Sequence, residues 1–161
     1  MTLTIRTILV PTDFSQNSEG ALSYAAALAT QFKATLHLVH VCQVPSLATA
    51  TMDGVVLPVP EWESEMRAAA EIDMSKLVGR LPDVVVSSEI AVGSPPACIV
   101  AAAVEHAVDL IVMGTHGRGS LMHALLGNVA ERVVRTAPCP VLTGRQWPAA
   151  MLSETQAMAL G

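Results

Sequence analysis

The residues best suited to chemistry are concentrated in one stretch, Asp109 to Arg135, which reads DLIVMGTHGRGSLMHALLGNVAERVVR. Leu110 to Met113 has the length and apolar character of a strand buried on both faces, and it stops at Gly114. Gly114, Gly117 and Gly119 follow within six residues, where glycine permits positive φ and lets a ligand approach the backbone. After a turn-like segment, Ser120 to Leu126, comes Gly127-Asn128. Val129, Ala130, Val133, Val134 and Ala137 then recur at helical spacing until Pro138. A strand, a glycine loop and a helix in that order aim unpaired helix N–H groups and the positive end of the helix dipole at the loop, which favours an anion such as a phosphate.

The loop lacks GxxxxGK[ST], and the only lysines, Lys33 and Lys76, lie elsewhere, so the lysine clamp of P-loop ATPases is missing. The order GxxGxG also differs from the dinucleotide fingerprint GxGxxG. What remains is backbone N–H donation, with Arg118, His116 or His123 as side-chain donors, a set suited to holding a phosphate rather than splitting it. Asn128, three residues before Glu131, makes a capping-box-like helix start.

Other elements must position this loop. Thr7 to Val10 predicts a first strand ending at Pro11-Thr12-Asp13, followed by a helix capped by Asn17 or Ser18 with Ala21, Leu22, Ala25, Leu28, Ala29 and Phe32 on one face. Thr35 to Val41 predicts the second strand. Alternation puts His40 and Cys42 on one face and His37 on the other, so those three do not converge on a metal and read as packed or hydrogen-bonded beneath helices. Gln43 to Pro60 reads as a long loop near the strand ends, either a lid, a mobile loop or a subunit contact. Glu61 to Leu81 predicts an amphipathic helix with Trp62, Met66, Ala70, Met74 and Leu77 inward and the Glu63/Arg67 pair on the wet side.

Val84 to Val92 predicts a third strand at one sheet edge. Gly93-Ser94-Pro95 supplies the turn, cap and first-turn proline of a helix ending near His106. Val141 to Thr143 predicts a last short strand, and Trp147 to Gly161 shows no pattern, being either disordered or docked on a partner. Five strands alternating with four helices make a three-layer α/β domain with an open parallel sheet. A reversal of winding after the third strand would set the first and fourth strands side by side, with Asp13 facing Gly114 across the crevice where such sheets bind ligands.

Composition narrows the partners. A chain of 161 residues is most simply one domain, residues 1–145, with a tail, residues 146–161. Cys42, Cys98 and Cys139 lack zinc-binding spacing, and with no secretory leader they read as buried thiols in a reducing cytoplasm. A net charge of -5 would repel a phosphate backbone, and five aromatic residues offer little stacking surface, so nucleic acid is not an expected partner. Glu105, His106 and Asp109 interrupt the longest apolar run, so no membrane span is expected.

The spacing Gly114-x2-Gly117-x9-Gly127, set between DLIVMG and VAERVVRTAPCPVL, resembles the nucleotide-binding signature of the universal stress protein family in its ATP-binding branch. ILVPTDFS at Ile8 to Ser15, LHLVHV at Leu36 to Val41 and the Val92-Gly93 turn extend the resemblance over residues 5–144. The signature normally ends Gly-Ser or Gly-Thr, whereas Asn128 stands here. The resemblance implies a Rossmann-like five-stranded sheet of order 3-2-1-4-5 and a homodimer formed through the last strand. It also implies an adenine nucleotide, ATP or ADP/AMP, with magnesium held through the phosphates. Pro11, Thr12, Asp13 and the backbone at Val41 would surround the adenine, and Met113, Gly114, Thr115, His116 and Gly117 the ribose and α-phosphate, beside Arg118. Gly127, Asn128 and Val129 would meet the outer phosphates. Asp13 has a competing role as a turn cap, and Arg118 as a solvated charge. The function implied is a cytoplasmic stress-response module that binds nucleotide with little or no hydrolysis. A dimeric interaction protein with an empty crevice and a slow ATPase or phosphotransferase are the alternatives.

Overall fold

Short β-branched and aliphatic runs with no polar interruption become the inner strands of this protein. β1 (Thr7–Pro11) and β4 (Leu110–Gly114) are such runs, and Ile8, Leu9, Val10, Ile111 and Val112 lose all exposure. The computed structural model describes residues 2–43, 59–116 and 126–148, with side chains from 61 onward in the second segment. The other elements are α1 (Gln16–Phe32), β2 (Thr35–Cys42), α2 (Val59–Gly79), β3 (Val86–Val92), α3 (Pro95–Glu105), α4 (Asn128–Thr136) and β5 (Val141–Gly144).

All strand pairs are parallel, in the order β3-β2-β1-β4-β5, so the reversal of winding lies between β1 and β4 as expected. Thr7 pairs with Thr35, and Ile8 with Leu110. Two cores form, one per face. Ile8, Val10, Leu36 and Leu38 pack with α1 and the end of α2, while Leu9, Val39, Ile111 and Met113 pack with Ile99, Ala102, Ala130 and Val133 of α3 and α4. Asp109 fixes the start of β4 against β1: its Oδ2 accepts the Arg6 N–H at 2.7 Å and the Thr7 N–H at 3.0 Å. These two bonds hold its carboxyl below the usual aspartate range.

Several local expectations are corrected. Helix α1 is capped by Ser15, whose Oγ accepts the Ser18 N–H at 3.3 Å, and not by Asn17 or Ser18. Along α2 the buried side is confined to Ala70, Met74 and Leu77, while Trp62 is 36% exposed and Met66 half-buried. The apolar period is continuous, but α2 lies over the open β3 edge, where the sheet offers neighbours to only part of it. Arg67 does not pair with Glu63; its Nη1 donates to the Ile90 carbonyl at 3.0 Å, on strand β3. Of the three thiols only Cys42 is fully buried, with Cys98 and Cys139 half-buried, and burial raises the pKa of each. Trp147 is not patternless tail: its indole packs on Tyr24 with ring centroids 5.3 Å apart. It fills space that Gly144 leaves open, because a Cβ there would lie 2.7 Å from the indole. Among the described residues no helix is long and apolar enough to cross a membrane.

Candidate functional site

α1 and α4 pack on opposite faces of the sheet, and β1 and β4 end side by side. The gap between them is a cavity of about 290 Å³. Pro11, Thr12, Asp13, Val41, Met113, Gly114, Thr115, His116, Gly127, Asn128 and Val129 all line it, so eleven of the expected site residues are brought together. Gly117 and Arg118, like Gly119, His123 and most of the Gln43 to Pro60 loop, lie outside the described residues.

The loop after β1 is rigid by hydrogen bonding. Thr12 is buried; its N–H donates to the Val39 carbonyl at 2.9 Å and its Oγ1 accepts the Phe14 N–H at 3.0 Å. Asp13 Oδ1 accepts the Ser15 N–H at 3.0 Å, so its carboxylate does act in a turn while also lining the cavity. Phe14 holds φ at 61°, in the left-handed region, and stacks on His40 with ring centroids 4.5 Å apart. His40 Nδ1 lies 2.8 Å from the Thr12 carbonyl. A carbonyl only accepts, so Nδ1 carries a proton.

On the opposite wall the Gly127 N–H donates to the Thr115 carbonyl at 2.7 Å, and Thr115 Oγ1 lies 2.8 Å from His116 Nδ1. Gly127, not Asn128, is the N-cap of α4, and Asn128 is its exposed first residue, which corrects the capping-box reading. Glu131 instead pairs with Arg135 at 2.9 Å, one helical turn on. The first-turn N–H groups of α4 have no intrahelical partner and lie at the cavity wall, where the helix dipole favours negative charge.

The glycines are present for close approach rather than for positive φ. Gly127 has φ of −69°, and among the described glycines only Gly93 takes a positive value. A Cβ on Gly127 would lie 2.7 Å from the Thr115 oxygen, and one on Gly114 would overlap the Asn17 amide. At Gly127 the backbone thus folds against backbone, and at Gly114 against the Asn17 side chain, so neither position leaves room for a Cβ without a shift.

Ser18, Val39, His40, Gln43, Pro95, Ile99 and Ala130 complete the described lining and were not anticipated. Ala130 adjoins an expected residue. Pro95 and Ile99 enter because α3 starts beside the crevice, a position the Val92-Gly93 turn already hinted at. His40 read as a core histidine because strand alternation assigns a side chain to a face of the sheet and does not reveal that β2 passes the crevice at this residue. Among the described lining residues there is no lysine or arginine, and Asp13 is the single carboxylate.

His37 lies near the other end of β2, away from the cavity. It is buried, and its Nδ1 is 2.7 Å from Ser87 Oγ. Burial above all holds its pKa below the ordinary imidazole value, the Glu89 carboxylate opposing and His106 reinforcing that shift.

Comparison with known proteins agrees with this architecture. The model of the universal stress protein family matches residues 4–145. Universal stress protein MJ0577 of Methanocaldococcus jannaschii is 33% identical over 155 residues, covering 88% of this chain and 96% of that protein. The solved MJ0577 structure superposes with a TM-score of 0.75 at 32% identity, over 91% of this chain and 99% of that one. Universal stress protein UspA from Lactobacillus plantarum gives a TM-score of 0.74 at 28% identity, over 89% and 100% of the two chains. A universal stress protein solved in complex with cAMP shares the fold with a TM-score of 0.60 at 23% identity, over 88% and 97%. The sheet order, the crevice between β1 and β4, and these matches together establish that the chain belongs to the universal stress protein family.

Proposed function

We propose that this protein is a cytoplasmic stress-response module that binds ATP or a related adenine nucleotide in the crevice, with little or no hydrolysis. The observation that carries this reading is the meeting of a partly apolar cavity with the bare first turn of α4 at one topological switch point. The base lies against Val39, Val41, Ile99 and Met113, and the phosphates run toward Gly127, Asn128 and Val129. The volume of about 290 Å³ is at the small end of ligand pockets, in keeping with a nucleoside enclosed and its outer phosphates at the mouth.

The neighbour in complex with cAMP shares only the fold at its level of identity, so the choice of adenine nucleotide rests on the crevice and the family. Slow or absent turnover is part of this proposal; what supports it is that no described lining residue is a lysine or arginine that could stabilise charge on a transferring phosphoryl group, Arg118 lying outside the described residues. Magnesium enters with the phosphates. Among the described lining residues Asp13 is the one carboxylate, and it already accepts a backbone N–H, so phosphate oxygens and water would supply most of the ligands.

The test is mass spectrometry of nucleotide released by denaturing the untreated protein, followed by calorimetric titration with ATP. An adenine nucleotide at close to one per chain, or saturable ATP binding, is expected. Neither released nucleotide nor heat of binding would leave an interaction protein with an empty crevice. Phosphate release with added magnesium at ordinary enzymatic rates would replace the binding module by an ATPase.

A further inference from the structure

Outside the residues that line the crevice, three side chains from three separate elements turn toward one point. His37 comes from β2, Glu89 from the edge strand β3, and His106 from the C-terminal cap of α3. Their ligating atoms all lie within 4.8 Å of one another. His37 Nε2 is 3.4 Å from Glu89 Oε1, and His106 Nε2 is 3.8 Å from Glu89 Oε2. Both Nε2 atoms are shielded from solvent, and neither has a hydrogen-bond partner. Two buried, unsatisfied imidazole nitrogens facing one carboxylate are costly unless something joins them.

We propose that His37, Glu89 and His106 form a three-ligand site for a divalent transition ion of the zinc class, with a fourth position open to solvent. Two imidazoles and one carboxylate are a donor set that zinc accepts, and three protein ligands leave room for a water. A separation of 3.4 Å between two donor atoms is the spacing of neighbouring ligands on a tetrahedral ion with bonds of about 2.0–2.1 Å. Ser87 Oγ engages His37 Nδ1 at 2.7 Å, which orients the ring from behind and leaves Nε2 for the ion, as outer-shell partners of metal-bound histidines do. Access is available from the sheet edge, where the Glu89 and His106 side chains are 34% and 33% exposed while His37 is 4% exposed.

One rearrangement is required. The His37 and His106 rings have centroids 3.8 Å apart, too close for both nitrogens to point at one ion, so His106 must swing outward. As the C-cap of α3 its backbone N–H stays bonded to the Ala102 carbonyl at 3.0 Å, so the movement is one of its partly exposed side chain. The ion would then tie β2, the β3 edge and the end of α3 together, independently of any nucleotide.

The test uses the full chain stripped with a chelator and titrated with zinc chloride, with cobalt chloride as a spectroscopic substitute. One zinc per chain, a visible cobalt absorption of a four- or five-coordinate site, and a zinc-dependent rise in melting temperature are expected. His106→Gln and Glu89→Gln change partly exposed side chains and should fold. Each should weaken zinc by more than about a hundredfold, beyond what loss of an outer-shell partner causes. His116→Gln, in the crevice, should bind zinc as the parent does. Absence of stoichiometric zinc binding would overturn the proposal. So would zinc affinity kept within threefold in both ligand variants, which would place the ion on other histidines or thiols.

Discussion

The carbonyl oxygen of Thr115 receives the N–H of Gly127 at 2.7 Å, and a Cβ on Gly127 would lie at that same distance from it. One short contact thus joins the end of β4 to the start of α4 and excludes every residue but glycine. Gly127→Val should cost about 1–3 kcal/mol of stability, because the clash is with backbone and the loop must open. Urea unfolding measures this. A variant as stable as the parent would show that the loop yields without cost, and any loss of nucleotide binding would then report the phosphate contact alone.

Gly114 makes the matching contact at the other end of the loop. Its added Cβ would overlap the Asn17 side chain, whose Oδ1 is buried without a partner and whose Nδ2 donates to the Arg145 carbonyl at a long 3.3 Å. Gly114→Ala should therefore be destabilising, and Asn17→Ala in the same chain should recover about 1 kcal/mol of the loss. A double-mutant cycle by chemical denaturation tests the coupling, and strictly additive losses would count against it.

Asn128 separates helix stability from ligand binding. It is the exposed first residue of α4, and a carboxylate introduced there by Asn128→Asp should stabilise the helix by about 0.3–1 kcal/mol through its dipole. The same charge opposes a phosphate, so ATP affinity should fall at least tenfold, about 1.4 kcal/mol. Calorimetry and thermal unfolding on one sample read both effects. Unchanged ATP affinity would move the phosphates away from the α4 terminus.

Asp109 predicts an acid-side dependence of stability. Its two backbone bonds lower its folded pKa, so it contributes stability that is fully present above the unfolded aspartate value and is lost as pH falls through the depressed folded value. Asp109→Asn should be less stable at neutral pH by about 1 kcal/mol, a modest figure because solvent screens this partly exposed group. The gap should close as pH drops below the ordinary aspartate range. Parallel unfolding curves from pH 7 to acid check the trend, and a pH-independent gap would assign the effect to packing.

β5 is an edge strand without a charged residue, VLTG, and an edge of that kind invites pairing. The Pro140 and Gly144 carbonyls face β4, accepting from Ile111 and Thr115, so by alternation the backbone groups of Val141 and Thr143 point outward. Sedimentation should find a dimer at micromolar concentration. Thr143→Pro removes one outward N–H at a position where an edge strand tolerates proline, and should give a folded monomer. A monomeric parent would rule out this pairing.

The elements were legible in the chain alone, because each is written in residues close together along it. The apolar run ending at Gly114, the serine and proline at Ser94-Pro95 and the uncharged last strand are signals of a few residues, and each element formed within two or three residues of where it was expected. Family-specific glycine spacing, read with the strand ends, was enough to name eleven residues that do line one crevice. Local signals carry no information about what stands across a gap. That Gly127 is needed to face Thr115, that Asn128 follows the cap rather than being it, and that His40 opens onto the crevice depend on how β1, β2 and β4 end against one another. The convergence of His37, Glu89 and His106 is the clearest case. Alternation along β2 placed His37 opposite His40 and Cys42, and only the docking of α3 over the β2/β3 edge brought it a carboxylate and a second imidazole from far along the chain.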